Sequence, residues 1–387
     1  MQNNLVKTVF AKTLFDGISS VPSINAVVRI EGSKIASIKS NVEQKDIPAD
    51  AVFTDIATPG LIDIQINGAG DIQFNSDLTV AGLKRMVSAS QQGGAAFIFP
   101  TFTTAPGQSY QKAVKVVQDA LTAGVDGIAG VHLEGPFLSV ERPGIHRQDF
   151  IRPLDEADVA YLCDAARHIK ILLTIAPEHQ NPDFVKALAQ AGIVLFAGHT
   201  NATCQDMQVA LKSGVTGVTH LFNTMSQITA RAPGVVGSVL GSEDFFAGII
   251  ADGYHVDVAN LRLAAKAIPT KLCLVTDAMQ TMNGHSQSFD LYGKQITLRN
   301  GKLTGDDNTL GGAHLAMAEA VRNMVRLANI DLGEAISMAT RNPALAVGLD
   351  ADLGTLAPNK SATLSLFDNA MECVGVVVNG SHAALDG

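Results

Sequence analysis

The sequence predicts an α/β fold, in which a (β/α)8 TIM-like barrel carries a small β-sandwich-like domain formed by both chain termini. Three observations predict it. Eight short apolar runs occupy the middle of the 387-residue chain, helix-length segments separate most of them, and both chain ends alternate apolar with polar residues. Regular alternation of strand and helix favours a parallel sheet, and eight such units can close into a barrel.

The eight apolar runs have the length of buried strands and end in polar residues. They cover residues 61–67, 95–101, 127–134, 171–178, 192–199, 214–220, 245–252 and 272–277. Segments long enough for a crossover helix lie between several of them, at residues 78–92, 108–123, 155–168, 182–191 and 202–213. After the eighth run, residues 289–298 and 301–303 predict an extra hairpin, and residues 313–327 and 332–347 predict helices.

The two ends of the chain predict strands rather than helices. Residues 27–30 and 35–38 flank the turn Glu31-Gly32-Ser33-Lys34, an arrangement typical of a β-hairpin. Residues 363–367 and 374–378 have the same strand-like character. We therefore expect residues 1–57 and 355–387 to form the small β-domain, with the barrel, residues 58–354, inserted between them.

Composition and charge exclude several classes of protein. A net charge of -9 and a pI near 5.5 argue against nucleic-acid binding. The four cysteines lie far apart without C-x-x-C spacing, so neither a zinc–thiolate site nor a disulfide framework is indicated. No uninterrupted apolar run has the length of a membrane span, and charged residues interrupt the N-terminal apolar stretch. We therefore expect a cytoplasmic protein without membrane contacts.

Three strand ends carry residues that bind divalent metals. The third, fifth and sixth apolar runs end at Glu134, His199 and His220. A single histidine is more often a hydrogen-bonded core or loop residue. Here, however, the carboxyl ends of barrel strands aim all three side chains at one face. Imidazole nitrogen and carboxylate oxygen are ligands that zinc and related ions favour, and three protein ligands with an open position are typical of catalytic sites.

The eighth run ends at Asp277, which is a candidate general base. Its carboxylate would lie on the same face as the metal ligands. A divalent metal lowers the pKa of water that it binds to about 7, and a positioned carboxylate can take the proton and later deliver it to a leaving nitrogen. The alternative is that Asp277 caps a helix or forms a salt bridge.

Five short motifs, in order along the chain, resemble one known family. They are His-Leu-Glu-Gly-Pro at 132–136, Gly-His-Thr-Asn-Ala at 198–202, Thr-His-Leu-Phe-Asn at 219–223, Ala-Asp-Gly-Tyr-His at 251–255 and Val-Thr-Asp-Ala at 275–278. Together they resemble the N-acetylglucosamine-6-phosphate deacetylases of the amidohydrolase superfamily. The similarity runs from Pro-Gly-Leu-Ile-Asp at 59–63 to Val-Asn-Gly at 378–380, which is nearly the whole chain.

The resemblance implies roles for particular residues. It implies the same metal ligands and the same acid/base, Asp277, and it places His146 beside the acetyl carbonyl, where imidazole would stabilise the developing oxyanion. It also implies that the molecule bound at this site is a sugar-phosphate substrate. The residues that it implies for binding that substrate are Ile145, His146, Asn223, Thr224, Arg231, His255, Leu310, Gly311 and Gly312.

The resemblance also implies that Arg231 binds the phosphate of the substrate. The planar fork of an arginine binds phosphate oxygens in pairs. In the family this arginine can come from the neighbouring subunit, so the resemblance implies a homodimer in which Arg231 serves the neighbouring site. The sequence alone leaves open that Arg231 is an ordinary surface residue, and that Asn223 and the Gly311-Gly312 pair only form turns.

The end of the first strand departs from the broader superfamily. That strand commonly ends in His-x-His, which binds a second metal, whereas this chain has Gln65 and Asn67. Neutral amides are poor substitutes for imidazoles as ligands. We therefore expect one divalent ion per subunit, with Gln65 hydrogen-bonded near it. Zinc fits the ligand set best, although iron or another divalent metal can occupy the same ligands.

The resulting hypothesis is hydrolysis of the acetamide of N-acetyl-D-glucosamine 6-phosphate to D-glucosamine 6-phosphate and acetate. One alternative is the same reaction on N-acetylgalactosamine 6-phosphate, because nothing in the sequence identifies the contact to the sugar 4-hydroxyl. Another is a catalytically silent protein that retains the barrel and binds the sugar phosphate. The joint presence of potential ligands and a potential base argues against the silent protein.

Overall fold

A computed structural model describes residues 5–306 and 309–383 of the chain. Its strands are β1 Thr8–Leu14, β2 Ser23–Glu31, β3 Lys34–Lys39, β4 Val52–Pro59, β5 Leu61–Ile66, β6 Gly68–Ala69, β7 Ile72–Gln73, β8 Ala95–Thr103, β9 Val131–Glu134, β10 Ile171–Ile175, β11 Val194–Ala197, β12 Val215–Val218, β13 Phe246–Ile250, β14 Leu272–Val275, β15 Ser288–Leu291, β16 Lys294–Arg299, β17 Lys302–Thr304, β18 Leu364–Phe367, β19 Cys373–Val378 and β20 Ser381–Ala383. Its helices are α1 Val80–Gln92, α2 Tyr110–Thr122, α3 Glu156–Ala165, α4 Pro182–Gln190, α5 Cys204–Lys212, α6 Gly234–Leu240, α7 Val258–Ala267, α8 Met317–Arg326, α9 Leu332–Ala339 and α10 Arg341–Ala346.

The eight predicted barrel strands form one parallel sheet, and the predicted barrel is confirmed. Their order is β5-β8-β9-β10-β11-β12-β13-β14, and a helix, α1 to α8, follows each strand. The last strand returns to the first through backbone hydrogen bonds. The Asp277 amide donates to the Gln65 carbonyl at 2.9 Å, and the Asn67 amide donates to the Ala278 carbonyl at 2.8 Å. This closing seam therefore runs through residues that the sequence assigns to the active site.

The barrel strands are buried because helices cover their outer faces and side chains fill the interior. Every residue of β8 is buried, and the large rings of Phe99 and Phe196 are almost completely inaccessible to solvent. The Phe196 ring also explains Gly217 on the neighbouring strand. A Cβ atom at position 217 would lie 2.4 Å from the Phe196 ring, so only glycine fits there.

The chain termini build a second sheet with its own core. Seven strands are hydrogen-bonded in the order β20-β19-β18-β4-β1-β2-β3, and only the β1–β4 pair is parallel. The sheet curls, since the Val6 amide bonds the Gly380 carbonyl at 2.9 Å and the Ala362 amide bonds the Ser33 carbonyl at 2.8 Å. Apolar side chains from both termini pack inside it, as predicted. The domain boundaries at residues 57/58 and 354/355 stay predictions.

Two predicted helices differ from those observed by more than a few residues at their ends. The helix predicted at 332–347 is two helices, α9 and α10. Pro343 lacks an amide hydrogen and its ring clashes with the carbonyl four residues earlier, that of Ala339, where α9 ends. The helix predicted from residue 313 begins at Met317, because Ala313 extends the sheet instead. Its amide donates to the Asp277 carbonyl at 3.0 Å.

The hairpin predicted after strand eight is a three-stranded antiparallel sheet, β15-β16-β17. Phe289, Leu291, Ile296 and Leu303 of this sheet form a small hydrophobic cluster with Met279, which lies just past the eighth barrel strand. The sheet therefore lies over the carboxyl-terminal face of the barrel. None of the helices within the described residues is long and apolar enough to cross a membrane.

Candidate active site

The carboxyl ends of the barrel strands hold the predicted ligands and base. Glu134 is the last residue of β9, while His199, His220 and Asp277 each lie two residues beyond their strands. These last three residues have positive φ angles of 47°, 32° and 49°. Left-handed backbone costs a residue other than glycine about 1–3 kcal/mol. The strand ends therefore turn sharply, at some cost in stability, where the polar side chains enter the site.

The potential ligand atoms of Glu134, His199 and His220 form a compact triangle. The Glu134 Oε1 atom lies 3.0 Å from His220 Nε2 and 3.4 Å from His199 Nε2, and the two Nε2 atoms lie 3.1 Å apart. Ligands bonded at ~2.1 Å in a tetrahedral zinc site lie roughly 3.4 Å from each other. The separations therefore fit one ion bound by all three atoms.

The hydrogen bond at the other ring nitrogen of His199 supports the same assignment. The Nδ1 atom lies 3.1 Å from the Arg142 carbonyl, which only accepts hydrogen bonds. Nδ1 must therefore carry the proton, and the lone pair of Nε2 is left for a metal. Burial alone would raise the pKa of Glu134, but the neighbouring imidazoles of His199 and His220 hold it well below its usual range. The carboxylate is thus anionic and suited to binding a cation.

His146 is a further candidate near the same carboxylate. Its Nε2 atom lies 3.9 Å from Glu134 Oε2, and its Nδ1 atom is 2.8 Å from the Thr104 hydroxyl. The ligand atoms of Glu134, His146 and His199 also lie within 4.8 Å of one another. We favour His220 as the third ligand, because it shares the Glu134 oxygen that His199 approaches. His146 faces the other oxygen, and burial lowers its pKa to about 3, so its ring is neutral.

Asp277 lies next to the ligand triangle and is held by two amides. Its Oδ1 atom accepts hydrogen bonds from Asn67 Nδ2 at 2.7 Å and from Gln65 Nε2 at 3.1 Å. The Gln65 amide also lies 3.3 Å from Glu134 Oε1, so it bridges the two carboxylates. Burial, and after it the charge of Glu134, raises the pKa of Asp277. Its increased proton affinity suits a group that takes and returns a proton.

The three potential ligands, His146 and Asp277 line one cavity of about 240 Å³. Of the residues predicted for substrate binding, the cavity wall includes Ile145, His146, Asn223, Thr224, His255, Leu310 and Gly312. His255 is fixed by Asp252, whose Oδ2 atom lies 2.6 Å from its Nδ1 atom. Among the described residues, Gln65 and Gly311 lie outside the wall, and Arg231 is exposed on the loop before α6.

The cavity also contains residues that the sequence analysis did not select. They are Asn67, Thr103, Gly144, Ile250, Met279, Leu291, Tyr292 and Thr309. Thr103 was missed because its strand was expected to end at Thr101, whereas β8 continues to Thr103. The sequence analysis named Asn67 only as the second residue of the Gln-x-Asn pair, without a role in the site. No local signal in the sequence distinguishes Tyr292, which enters the cavity only because the β15–β17 sheet folds over the barrel.

Comparison with known proteins extends these observations. Residues 56–382 match the amidohydrolase family. An N-acetylglucosamine-6-phosphate deacetylase of Haemophilus influenzae is 37% identical over 326 residues, which are 84% of this chain and 85% of that protein. An N-acetylgalactosamine-6-phosphate deacetylase of a Shewanella species is 32% identical over 361 residues, 92% of this chain and 91% of that protein.

A solved structure gives the same result in three dimensions. The crystal structure of N-acetylglucosamine-6-phosphate deacetylase from Pasteurella multocida superposes with a TM-score of 0.91 at 36% sequence identity. The similarity covers 97% of this chain and 99% of the other. Both the barrel and the sheet formed by the termini are therefore shared with that protein.

Proposed function

Because this chain belongs to the amidohydrolase family, we propose that it hydrolyses the acetamide of N-acetyl-D-glucosamine 6-phosphate to D-glucosamine 6-phosphate and acetate. One observation carries the proposal. One cavity brings together three potential metal-ligating atoms, a carboxylate with raised proton affinity and a neutral imidazole. Relatives with 31–37% identity over most of the chain, from bacteria and animals, are deacetylases of this substrate.

Glu134, His199 and His220 would hold one divalent ion, for which the N/O ligand set favours zinc. Bound there, a divalent ion polarises the amide carbonyl and lowers the pKa of water. Gln65 and Asn67 do not offer the imidazoles that a second ion would require. Both amides are instead occupied by hydrogen bonds to Asp277, and Gln65 also contacts Glu134, which supports a site for a single ion.

The remaining side chains can carry out the proton transfers of amide hydrolysis. Asp277 takes a proton from the attacking water, a C–O bond forms at the acetyl carbon, and the carbonyl oxygen gains negative charge. His146, held by Thr104, provides a hydrogen-bonding group beside that oxygen. When the C–N bond breaks, Asp277 returns its proton to the amine nitrogen. The products are acetate and the free amino sugar phosphate.

The sugar phosphate would bind on the side of the cavity formed by the sixth and seventh strands. Asn223 and Thr224 follow β12, and His255 follows β13. Asp252 fixes the His255 ring through its Nδ1 atom, so the other ring nitrogen would be left to contact the phosphate. Leu310 and Gly312, which line the same cavity, would cover the sugar.

The proposal predicts acetate release that depends on both the phosphate and the metal. We expect turnover of N-acetylglucosamine 6-phosphate, turnover at least about a hundredfold weaker without the phosphate, and loss of turnover on chelation that zinc restores. Acetate can be measured with a coupled assay before and after dialysis against a chelator. Absence of acetate release from any phosphorylated substrate would instead favour a silent binding protein.

The galactose epimer is a second candidate substrate. Two curated relatives, 32% and 28% identical over 92% of this chain, are N-acetylgalactosamine-6-phosphate deacetylases. The two sugars differ only in the orientation of the 4-hydroxyl. The same assay with both epimers, compared by kcat/KM, distinguishes the two substrates. A preference for the galactose epimer would make N-acetylgalactosamine 6-phosphate the substrate.

We propose further that the protein is a cytoplasmic homodimer in which Arg231 binds the phosphate in the neighbouring subunit. An exposed arginine on a loop outside its own cavity supports this arrangement. Arg231→Ala should raise KM for the phosphorylated substrate by roughly 10- to 100-fold, the loss of a charge-assisted contact.

A mixing experiment tests whether the site is shared. At a substrate concentration below the wild-type KM, each of the two variants alone should be nearly inactive. Arg231→Ala and Asp277→Asn chains that are unfolded together and refolded should then regain roughly a quarter of wild-type activity. Half of randomly formed dimers are mixed, and each mixed dimer contains one intact site. Arg231→Ala with unchanged KM, or mixtures that stay inactive, would show that Arg231 does not serve the neighbouring site.

A further inference from the structure

The tip of the β15–β16 hairpin lies in the active-site cavity. Its two-residue turn is Tyr292-Gly293, with φ angles of 56° and 81°. Two consecutive positive φ values are typical of a type I′ turn, which favours Asn-Gly or Asp-Gly. The next hairpin of the same sheet has that preferred pair, Asn300-Gly301, with φ angles of 53° and 78°. Tyr292 therefore has a backbone conformation that tyrosine rarely adopts.

The side chain of Tyr292 is fixed inside the cavity. Its hydroxyl is hydrogen-bonded to the Thr103 hydroxyl. The Thr103 hydroxyl in turn donates to Asn75 Oδ1 at 3.1 Å, so it accepts from Tyr292. Asn75 Nδ2 also bonds the Thr103 carbonyl at 3.0 Å. The aromatic ring is thus held at both ends, by the turn and by this hydrogen bond.

Tyr292 is anchored on the side of the cavity opposite the residues proposed to bind the phosphate. Thr103 ends the second barrel strand, whereas Asn223 follows the sixth, and these two strands lie four positions apart in the eight-stranded order. The residue after Thr103, Thr104, holds His146. In a trans amide, the acyl carbon chain and the sugar ring lie at opposite ends. A substrate whose phosphate is near the sixth strand therefore directs its acyl group towards Tyr292.

We propose that Tyr292 closes the acyl end of the cavity and restricts the enzyme to acetamides, excluding longer N-acyl chains. The inference rests on the proposed deacetylase function. Residues Leu291 and Met279 line the cavity beside it, so an acyl chain extended past the tyrosine would enter an apolar environment. Removing the ring would accordingly open space that suits additional methylene groups.

The experiment compares N-acetyl-, N-propanoyl- and N-butanoyl-glucosamine 6-phosphate as substrates. The variant is Tyr292→Asn, because asparagine suits the left-handed turn and preserves the hairpin. We expect the wild-type enzyme to prefer acetyl over propanoyl by at least about tenfold in kcat/KM. In Tyr292→Asn the propanoyl-to-acetyl ratio should rise by roughly tenfold or more, the usual value of one methylene group in an apolar pocket.

Two control variants separate ring size from other effects. Tyr292→Phe retains the ring but loses the hydrogen bond to Thr103, so its ratio should stay within about threefold of wild type. Asn300→Asp alters the matching turn outside the cavity and should leave the ratio unchanged. Both controls, like Tyr292→Asn, are expected to retain a single cooperative melting transition.

The outcomes distinguish this inference from the proposed function. Wild-type enzyme that releases acetate but shows no preference among the acyl chains, or Tyr292→Asn with an unchanged ratio, would overturn the role of Tyr292 alone. Wild-type enzyme that cleaves neither epimer's acetamide would overturn the deacetylase function, and the role of Tyr292 with it.

Discussion

Asp277→Asn should lower kcat by about 10²–10⁴-fold, the range in which general acid–base groups contribute. Asparagine retains the shape of the side chain but can neither accept the proton of the attacking water nor return it to the amine. The residues proposed to bind the substrate lie elsewhere in the cavity, so KM should change much less than kcat. Steady-state kinetics of acetate release measures both quantities.

The variant must also keep its fold and its metal for this result to be informative. Because Asn67 and Gln65 donate to Asp277 Oδ1, an asparagine side-chain oxygen can accept the same hydrogen bonds. We expect an unchanged metal content and melting temperature. The exposed Asp119→Asn, on helix α2, provides a matched substitution that should leave turnover intact. Turnover of Asp277→Asn within threefold of wild type would show that another group transfers the proton.

Glu134→Gln should abolish tight metal binding and lower activity by at least about a thousandfold. A neutral amide is a poor replacement for the only anionic member of the proposed ligand set. Without the metal, the transition state would lose several kcal/mol of charge stabilisation, which corresponds to a rate reduction of about a thousandfold or more. Elemental analysis of purified protein should find about one ion per wild-type subunit and almost none in the variant.

The control for this substitution is His179→Gln, which changes a half-exposed histidine bonded to Ser139 outside the cavity. Its metal content should equal that of wild type. Retention of a full complement of metal by Glu134→Gln would remove Glu134 from the ligand set and favour His146 in its place. Two tightly held ions per wild-type subunit would contradict the single-ion site inferred from Gln65 and Asn67.

The barrel could be predicted because each strand is a buried apolar run with a polar residue at its end. Burial on both faces imposes that pattern on parallel strands. The same rule brought Glu134, His199, His220 and Asp277 to one face without knowledge of any contact. Strand ends were less well predicted, as hydrophobicity does not show where backbone pairing stops. The break between α9 and α10 was predictable in principle, since Pro343 marks it in the sequence.

The residues that line the walls of the cavity were less predictable than those at the strand ends. Thr103 and Tyr292 meet across 189 residues of sequence, and their contact depends on how the β15–β17 sheet packs over the barrel. No periodicity within either segment encodes that packing. Arg231 lies outside its own cavity, and the fold of one chain does not define the role of an exposed arginine on such a loop.

The closing seam of the barrel has a consequence for how activity is gained during folding. The bonds between Gln65 and Asp277, and between Asn67 and Ala278, join segments separated by about 210 residues, among the most distant pairings in the barrel. Contacts of such long sequence separation are slow to form, because the entropy of closing the intervening loop opposes them. The amides of strand one reach the Asp277 carboxylate only across this junction. We therefore expect catalytic competence to be among the last properties to emerge during folding.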